Sequence, residues 1–201
     1  TPNNYSDELT TNDGNKRNVW KKLILESKVD EHKNFNLDVH YDDDFPLRFA
    51  CKIGKLDAVE KLISMGCNPG IRDNYCVYHA ADNLHWEIIK ILAKFDVNLN
   101  TENAYLLRQV VYEDDVDFLK YLIENTNINI HHNEEIGLRL AACCNKLETM
   151  RILLDNKCDM SIDDNYCLRI GCEFGFENIV NILINYGVDI HHSNEKAMHT
   201  T

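Results

Sequence analysis

An all-α solenoid, built from stacked helix–turn–helix repeats joined by short turns, is the fold class this sequence predicts. Three observations predict it. The residue pair that opens the first helix of each repeat recurs as Leu47-Arg48, Val77-Tyr78, Leu107-Arg108, Leu138-Arg139, Leu168-Arg169 and Met198-His199, in steps of 30, 30, 31, 30 and 30. A leucine of the second helix recurs in the same phase, at Leu62, Leu92, Leu122, Leu153 and Leu183. An Asn or Asp follows that helix at Asp38, Asn68, Asn98, Asn129, Asp159 and Asp189. All three markers share one single-residue insertion, near Thr126-Asn127. A fixed period of this size marks modules that cannot each bury their apolar side and so stack in a line.

The elements follow in order. Residues 1–18 are polar and read as a flexible N-terminal lead-in. Residues 19–41 read as an N-terminal capping helix or degenerate repeat, with Trp20, Leu23, Ile24 and Val29 giving an apolar stripe over Val19–Lys33. Five repeats fill 42–192, as 42–72, 73–102, 103–132, 133–163 and 164–192. In the first, Pro46 suits an opening helical turn, where its missing N–H has no partner to lose. Leu47, Ala50 and Cys51 then fall on one face at i, i+3 and i+4. Gly54 suits a left-handed stop, and Asp57 a negative charge at the start of the next helix. Val59, Leu62 and Ile63 supply that helix's buried stripe, and Gly66 closes the unit. The second helix of each repeat reads as the longer of the two.

The second repeat opens at Asp73 or Asn74, either of which can cap a helix. The third diverges most: Val110-Val111 stands where the repeats on either side carry Ala-Ala, and Asp114 stands at the loop Gly. Small residues at 50, 51, 80, 81, 141, 142 and 171 let neighbouring first helices approach, so the third repeat is expected to be splayed or weaker. Residues 193–201 read as a partial C-terminal repeat or cap.

Charged residues make up 27% and apolar residues 44% of the chain, a balance that folds. A net charge of -12 disfavours nucleic acid or an anionic membrane as main partner and fits a basic or mixed protein surface better, a local basic patch notwithstanding. No run of 18 apolar residues predicts a membrane span. The eight cysteines fall on repeat positions: Cys51 with Cys172 at a small buried site, Cys76 with Cys167, Cys67 with Cys158. Equivalent positions in a solenoid lie at separate heights, so free thiols and a reducing, intracellular setting are expected. Cys67 with Cys76 and Cys158 with Cys167 are the pairs that could approach.

No catalytic or metal-binding constellation emerges. His131-His132 and His191-His192 are equivalent turn positions two repeats apart, about 20 Å at the spacing of packed helices. One ion cannot bridge them, and backbone hydrogen bonding is the expected role of these histidines. Cys143-Cys144 lacks a second pair at metal spacing. The acidic runs 42–44 and 113–115 lack a calcium-loop pattern, and no phosphate loop or nucleophile motif is present. The expectation is therefore no enzyme, no cofactor and no metal.

These repeats resemble the ankyrin repeat. Phe45-Pro46-Leu47-Arg48-Phe49-Ala50-Cys51 is similar to its Thr-Pro-Leu-His-x-Ala-Ala start. Gly54-Lys55-Leu56-Asp57-Ala58-Val59 is similar to Gly-His-x-Glu-Val-Val, and Leu183 to Ile190 to Leu-Leu-x-x-Gly-Ala-Asp-Val. The period of 30 falls short of the family's 33, so the inter-repeat turns should be short, and Tyr75-Cys76 and Tyr166-Cys167 replace Thr-Pro. In period and composition the array is similar to those encoded by large DNA viruses.

The resemblance implies a non-enzymatic scaffold or adaptor. It would bind a protein through the concave face, as a monomer, in cytoplasm or nucleus, including that of an infected host cell. The alternative is a regulatory or targeting segment of a longer enzyme or ligase adaptor. Carried over by position, the exposed first-helix sites are Phe49, Lys52 and Ile53; His79, Asp82 and Asn83; Gln109, Tyr112 and Glu113; Leu140, Cys143 and Cys144; and Ile170, Glu173 and Phe174. Apolar groups at such sites mark an interface unless they pack on neighbouring repeats. Asp96-Val97-Asn98 resembles the context of asparagine hydroxylation in this family, with Asn98 as the target.

Overall fold

A computed structural model describes residues 5–95 and 97–190, with side chains described from residue 14 onward. All regular elements among the described residues are helical. The chain divides into two compact units, one ending at Leu99 and one beginning at Asn100. The first holds α1 (Tyr5–Leu25), a 3-10 turn (Val29–Phe35), α2 (Tyr41–Ile53), α3 (Leu56–Ser64), α4 (Ile71–Asp82) and α5 (Trp86–Leu92). The second holds a 3-10 turn (Glu102–Ala104), α6 (Tyr105–Glu113), α7 (Val116–Asn125), α8 (His132–Cys143), α9 (Leu147–Asp155), α10 (Ile162–Glu173) and α11 (Glu177–Asn185). Within each unit first helices pack on first helices, α2 on α4, α6 on α8 and α8 on α10, and second helices on second helices, α3 on α5 and α7 on α9 on α11.

The N-terminal region differs from expectation. Helix α1 begins at Tyr5, inside the stretch read as a flexible lead-in, and stops at Leu25 rather than continuing to Lys33. Its apolar end explains where it stops. Trp20 and Ile24 are fully buried and Leu23 nearly so, and Trp20 stacks on His32, with ring centroids 5.7 Å apart. A left-handed residue, Ser27 (φ 55°), turns the chain so that the 3-10 segment can supply His32 to that contact. In length the first helices α4, α8 and α10, with twelve residues each, exceed the second helices of their repeats, with seven in α5 and nine in α9 and α11, whereas in the third repeat the second helix is the longer, ten residues in α7 against nine in α6.

The extra length of the first helices is a turn of opposite hand. Asp42, Asp43 and Asp44 have φ of 50°, 51° and 54°, and Arg72–Asn74, Asn133–Glu135 and Asp163–Asn165 repeat the same three-residue left-handed turn. Left-handed backbone costs roughly 1–2 kcal/mol per L-residue, least for Asn and Asp, which is why those residues crowd here. The arginine of the recurring Leu-Arg pair returns to this turn. Arg48 Nε donates to Asp43 O at 2.8 Å and Arg169 Nη2 to Asp163 O at 3.0 Å. In α2 and α10 the compact inter-repeat turn is thus closed by an arginine of its own helix.

The small-residue sites form the core. Ala50, Cys51, Ala80, Ala81, Ala141 and Ala142 are fully buried, and so are Val110 and Val111. At Gly171 an added Cβ would meet Val180 Cγ2 at 3.0 Å. Cys172, expected to be buried like Cys51, is exposed. Cys51 lies under α4 of the next module, whereas no described element covers the corresponding side of α10. All eight cysteines are free thiols.

Candidate functional site

In the first unit, α2 and α4 carry their outward residues side by side. The i, i+4 spacing stacks Phe45 on Phe49, centroids 5.8 Å apart, and sets Tyr75 against His79 at 4.0 Å. Helix α1 adds cations to these rings. Lys21 lies 5.8 Å from the Phe49 centroid and Arg17 5.3 Å from that of Phe45. Arg48, buried and anchored on its turn, sits 5.1 Å over Tyr75. Phe45, Phe49, Tyr75, Lys21, Arg48 and Lys52 together line a cleft of about 220 Å³. Asp42 partly offsets Arg48, with Oδ2 3.3 Å from Nη2, and Lys21 and Lys52 leave the cleft positive. His79, against this surface, has its imidazole pKa lowered by burial first and then by the Lys52 and Arg48 charges.

In the second unit, Tyr105, Arg108, Gln109, Tyr112 and Leu140 line a separate cleft of about 260 Å³. Tyr166 lies between two guanidinium groups, Arg139 at 5.6 Å and Arg169 at 5.7 Å, with its hydroxyl 3.2 Å from Cys143 Sγ. Phe174 is 60% exposed and stacks on Phe176 at 5.8 Å.

The residues expected at the surface all reach solvent, in two classes. Lys52, Asp82, Asn83, Tyr112, Glu113, Cys143, Glu173 and Phe174 are exposed. Phe49, Ile53, His79, Gln109, Leu140, Cys144 and Ile170 are half-buried against neighbouring side chains. Sequence reasoning missed Phe45 and Tyr75, although their i, i+4 partners Phe49 and His79 signalled a shared face. It also missed Lys21, which no repeat register reveals because α1 stands outside the period. Asn98 is exposed and Val97 buried, while Asp96 lies outside the described residues.

His131 does something other than expected, and His40, three repeats earlier, does the same. His40 Nδ1 lies 2.7 Å from Asp44 Oδ1, and His131 Nδ1 lies 2.8 Å from Glu135 Oε1. Their side chains pair with carboxylates rather than with backbone. Both acids are buried and accept from a backbone N–H of the exit turn of the same repeat, Asn68 N at 2.6 Å and Asp159 N at 3.2 Å. His191-His192 lies outside the described residues.

A family model for ankyrin repeats, three copies in length, matches residues 47–131 and again 106–194. The chain belongs to the ankyrin repeat family. Ankyrin repeats are generally protein-interaction modules without catalytic activity, and the helical pairs described above are their structural unit. The chain is similar to an ankyrin repeat protein of Monkeypox virus, 28% identical over 138 residues, covering 63% of this chain and 24% of that protein. It is 26% identical over 132 residues to one of Fowlpox virus (strain NVSL), covering 59% and 18%. To one of Acanthamoeba polyphaga mimivirus it is 23% identical over 203 residues, covering 80% and 56%. The chain thus spans between about a fifth and about half the length of these relatives. Among the described residues no helix is long and apolar enough to cross a membrane.

Proposed function

We propose that this ankyrin array is a non-enzymatic adaptor that grips a protein partner along the outward side of its first helices, and that the cleft of the first unit takes an acidic segment of that partner. The carrying observation is the lining of that cleft: three cations and three aromatic rings gathered from α1, α2 and α4. The rings offer flat apolar area at low entropy cost, and the cations favour carboxylates and steer their approach. A chain of net charge -12 repels acidic surfaces at long range. A local basic cleft is therefore a selective feature, admitting a short acidic segment and rejecting a uniformly acidic surface.

The test is affinity capture with the full chain and with Lys21→Glu/Lys52→Glu, followed by titration of captured acidic segments as labelled peptides. The double variant should weaken peptide binding at least tenfold, and added salt should weaken wild-type binding. An unchanged captured set and unchanged peptide affinity overturn the reading. Phe174→Glu reports separately on the second unit.

The greater length of the relatives supports a second reading, in which this array targets or regulates a longer protein, as an enzyme or ligase adaptor. Deleting 42–192 from the full reading frame would then abolish partner recruitment while leaving the remaining activity. We further place the chain inside cells, as a monomer, and Asn98 as a hydroxylation target. Light scattering and intact mass after treatment with an asparaginyl hydroxylase test the last two.

A further inference from the structure

Two clusters of the same design lie three repeats apart. His40, Asp44 and Cys67 bring one ring nitrogen, one carboxylate oxygen and one sulfur within 4.8 Å of one another, and His131, Glu135 and Cys158 do the same. The left-handed turn makes this possible by folding the acid back under a histidine four residues earlier. The cysteine comes from the exit turn of the same repeat, 23 positions beyond the acid.

The fold does not require this set. The equivalent positions hold Gly70, Asn74 and Val97; Asn100, Ala104 and Ile128; and Ser161, Asn165 and Val188. In the last of these, Asn165 Nδ2 donates to Asp189 O at 2.7 Å, so a neutral amide ties turn to turn unaided. The two clusters instead bury a carboxylate beside a thiol. Glu135 Oε2 is buried with no hydrogen-bond partner among the described residues, its side chain only 9% exposed. A buried acceptor without a donor costs about 1–3 kcal/mol, and the protein group nearest to it in the cluster is the Cys158 thiol, a weak donor.

We propose that each His–carboxylate–Cys cluster binds one divalent ion of the zinc type, so that the chain takes up two. The donor set is one that zinc accepts, a sulfur, an imidazole nitrogen and a carboxylate oxygen, with the fourth position left to water. A dication neutralises the carboxylate and the thiolate together and gives Glu135 Oε2 its missing partner. Tetrahedral coordination with bonds of about 2.0 Å holds N and O ligands about 3.3 Å apart. The 2.7 Å contact between His40 and Asp44 would then open by roughly half an ångström, a rotamer-scale adjustment. The histidines are 53% and 47% exposed and give the ion a path from solvent. Binding expels the thiol proton, so affinity falls as pH falls.

The chain itself supplies benign variants, since Val97 and Val188 hold the cysteine place and Asn100 the histidine place in other repeats. The full chain, stripped with a chelator, is titrated with Co²⁺ and then with Zn²⁺, reading the sulfur-to-cobalt charge-transfer band and the bound metal per chain. Two ions are expected, one in Cys67→Val, one in Cys158→Val and none in the double variant. His40→Asn/His131→Asn should weaken both sites at least about tenfold. Cys143→Ser/Cys172→Ser, which removes exposed thiols, should change neither band nor stoichiometry. Absence of the charge-transfer band, its survival in Cys67→Val/Cys158→Val, or its loss on removing Cys143 and Cys172 overturns the proposal. Circular dichroism of each variant confirms that folded protein is being compared.

Discussion

Gly54 and Leu84 occupy the same turn position in successive repeats, both left-handed, with φ of 76° and 58°. They make opposite predictions. At Gly54 an added Cβ would stand 2.6 Å from His85 Cε1, in addition to the backbone penalty. Gly54→Ala should therefore lose about 1–3 kcal/mol in urea unfolding. Leu84 is 42% exposed and gains little from packing. Leu84→Gly should release the left-handed strain and, after the added freedom of the unfolded chain, raise stability by up to about 1 kcal/mol.

His79 adds a pH dependence at the same scale. Its folded pKa is depressed by burial and by Lys52, so the unfolded state takes the proton first. The stability linked to His79 is complete above the ordinary imidazole value of about 6.5 and is lost as pH falls through the lower folded value. His79→Gln, with Gln109 as precedent at the equivalent site, should flatten the melting temperature against pH in that window.

At the scale of elements, the divergent third repeat shows how a departure from pattern is compensated. Asp114 takes the loop-glycine place with φ 59°. Its carboxylate accepts from the buried Thr149 hydroxyl of α9 at 2.7 Å, and the adjacent Asp115 caps α7 by accepting from Phe118 N at 2.9 Å. The strain of a non-glycine turn is exchanged for a side-chain tie to the next module. Thr149→Val keeps the shape and removes the donor. It should cost about 1–2 kcal/mol by denaturant titration, and Asp114→Gly should suppress most of that difference in a double-mutant cycle. In the sequence Asp114 reads only as a missing glycine. Thr149 lies 35 residues away and matches no marker of the period, so the tie is invisible until α7 and α9 are packed.

At the scale of the molecule, a net charge of -12 is spread over modules of one design, and self-repulsion acts against the compact state. Raising monovalent salt from about 0.01 M to about 0.15 M shortens the Debye length from about 30 Å to about 8 Å. It should therefore raise the melting temperature of the whole chain. A fall would mean that surface pairs such as Arg17 with Asp42 and Arg72 with Asp43 outweigh the repulsion. The same salt should weaken the acidic-segment binding proposed for the first unit, so stability and affinity move in opposite directions.

The sequence by itself determined the module, its period, its helical pairs and the residues that must be small, because each follows from spacing along one chain. Burial of Ala80, Val110 and Ala141 needs only a 30-residue register and an apolar face. What the tertiary structure alone decided are the meetings between residues that no periodicity links. Lys21 comes to Phe49 from a helix outside the array, and Cys67 comes to Asp44 from 23 positions away. So too, a left-handed turn carries an acid back to its histidine, although Arg72 and Glu134 within such turns give no local signal for that backbone. Periodicity records which face a residue turns to the core. It does not record which side chains of separate turns that core then presses together.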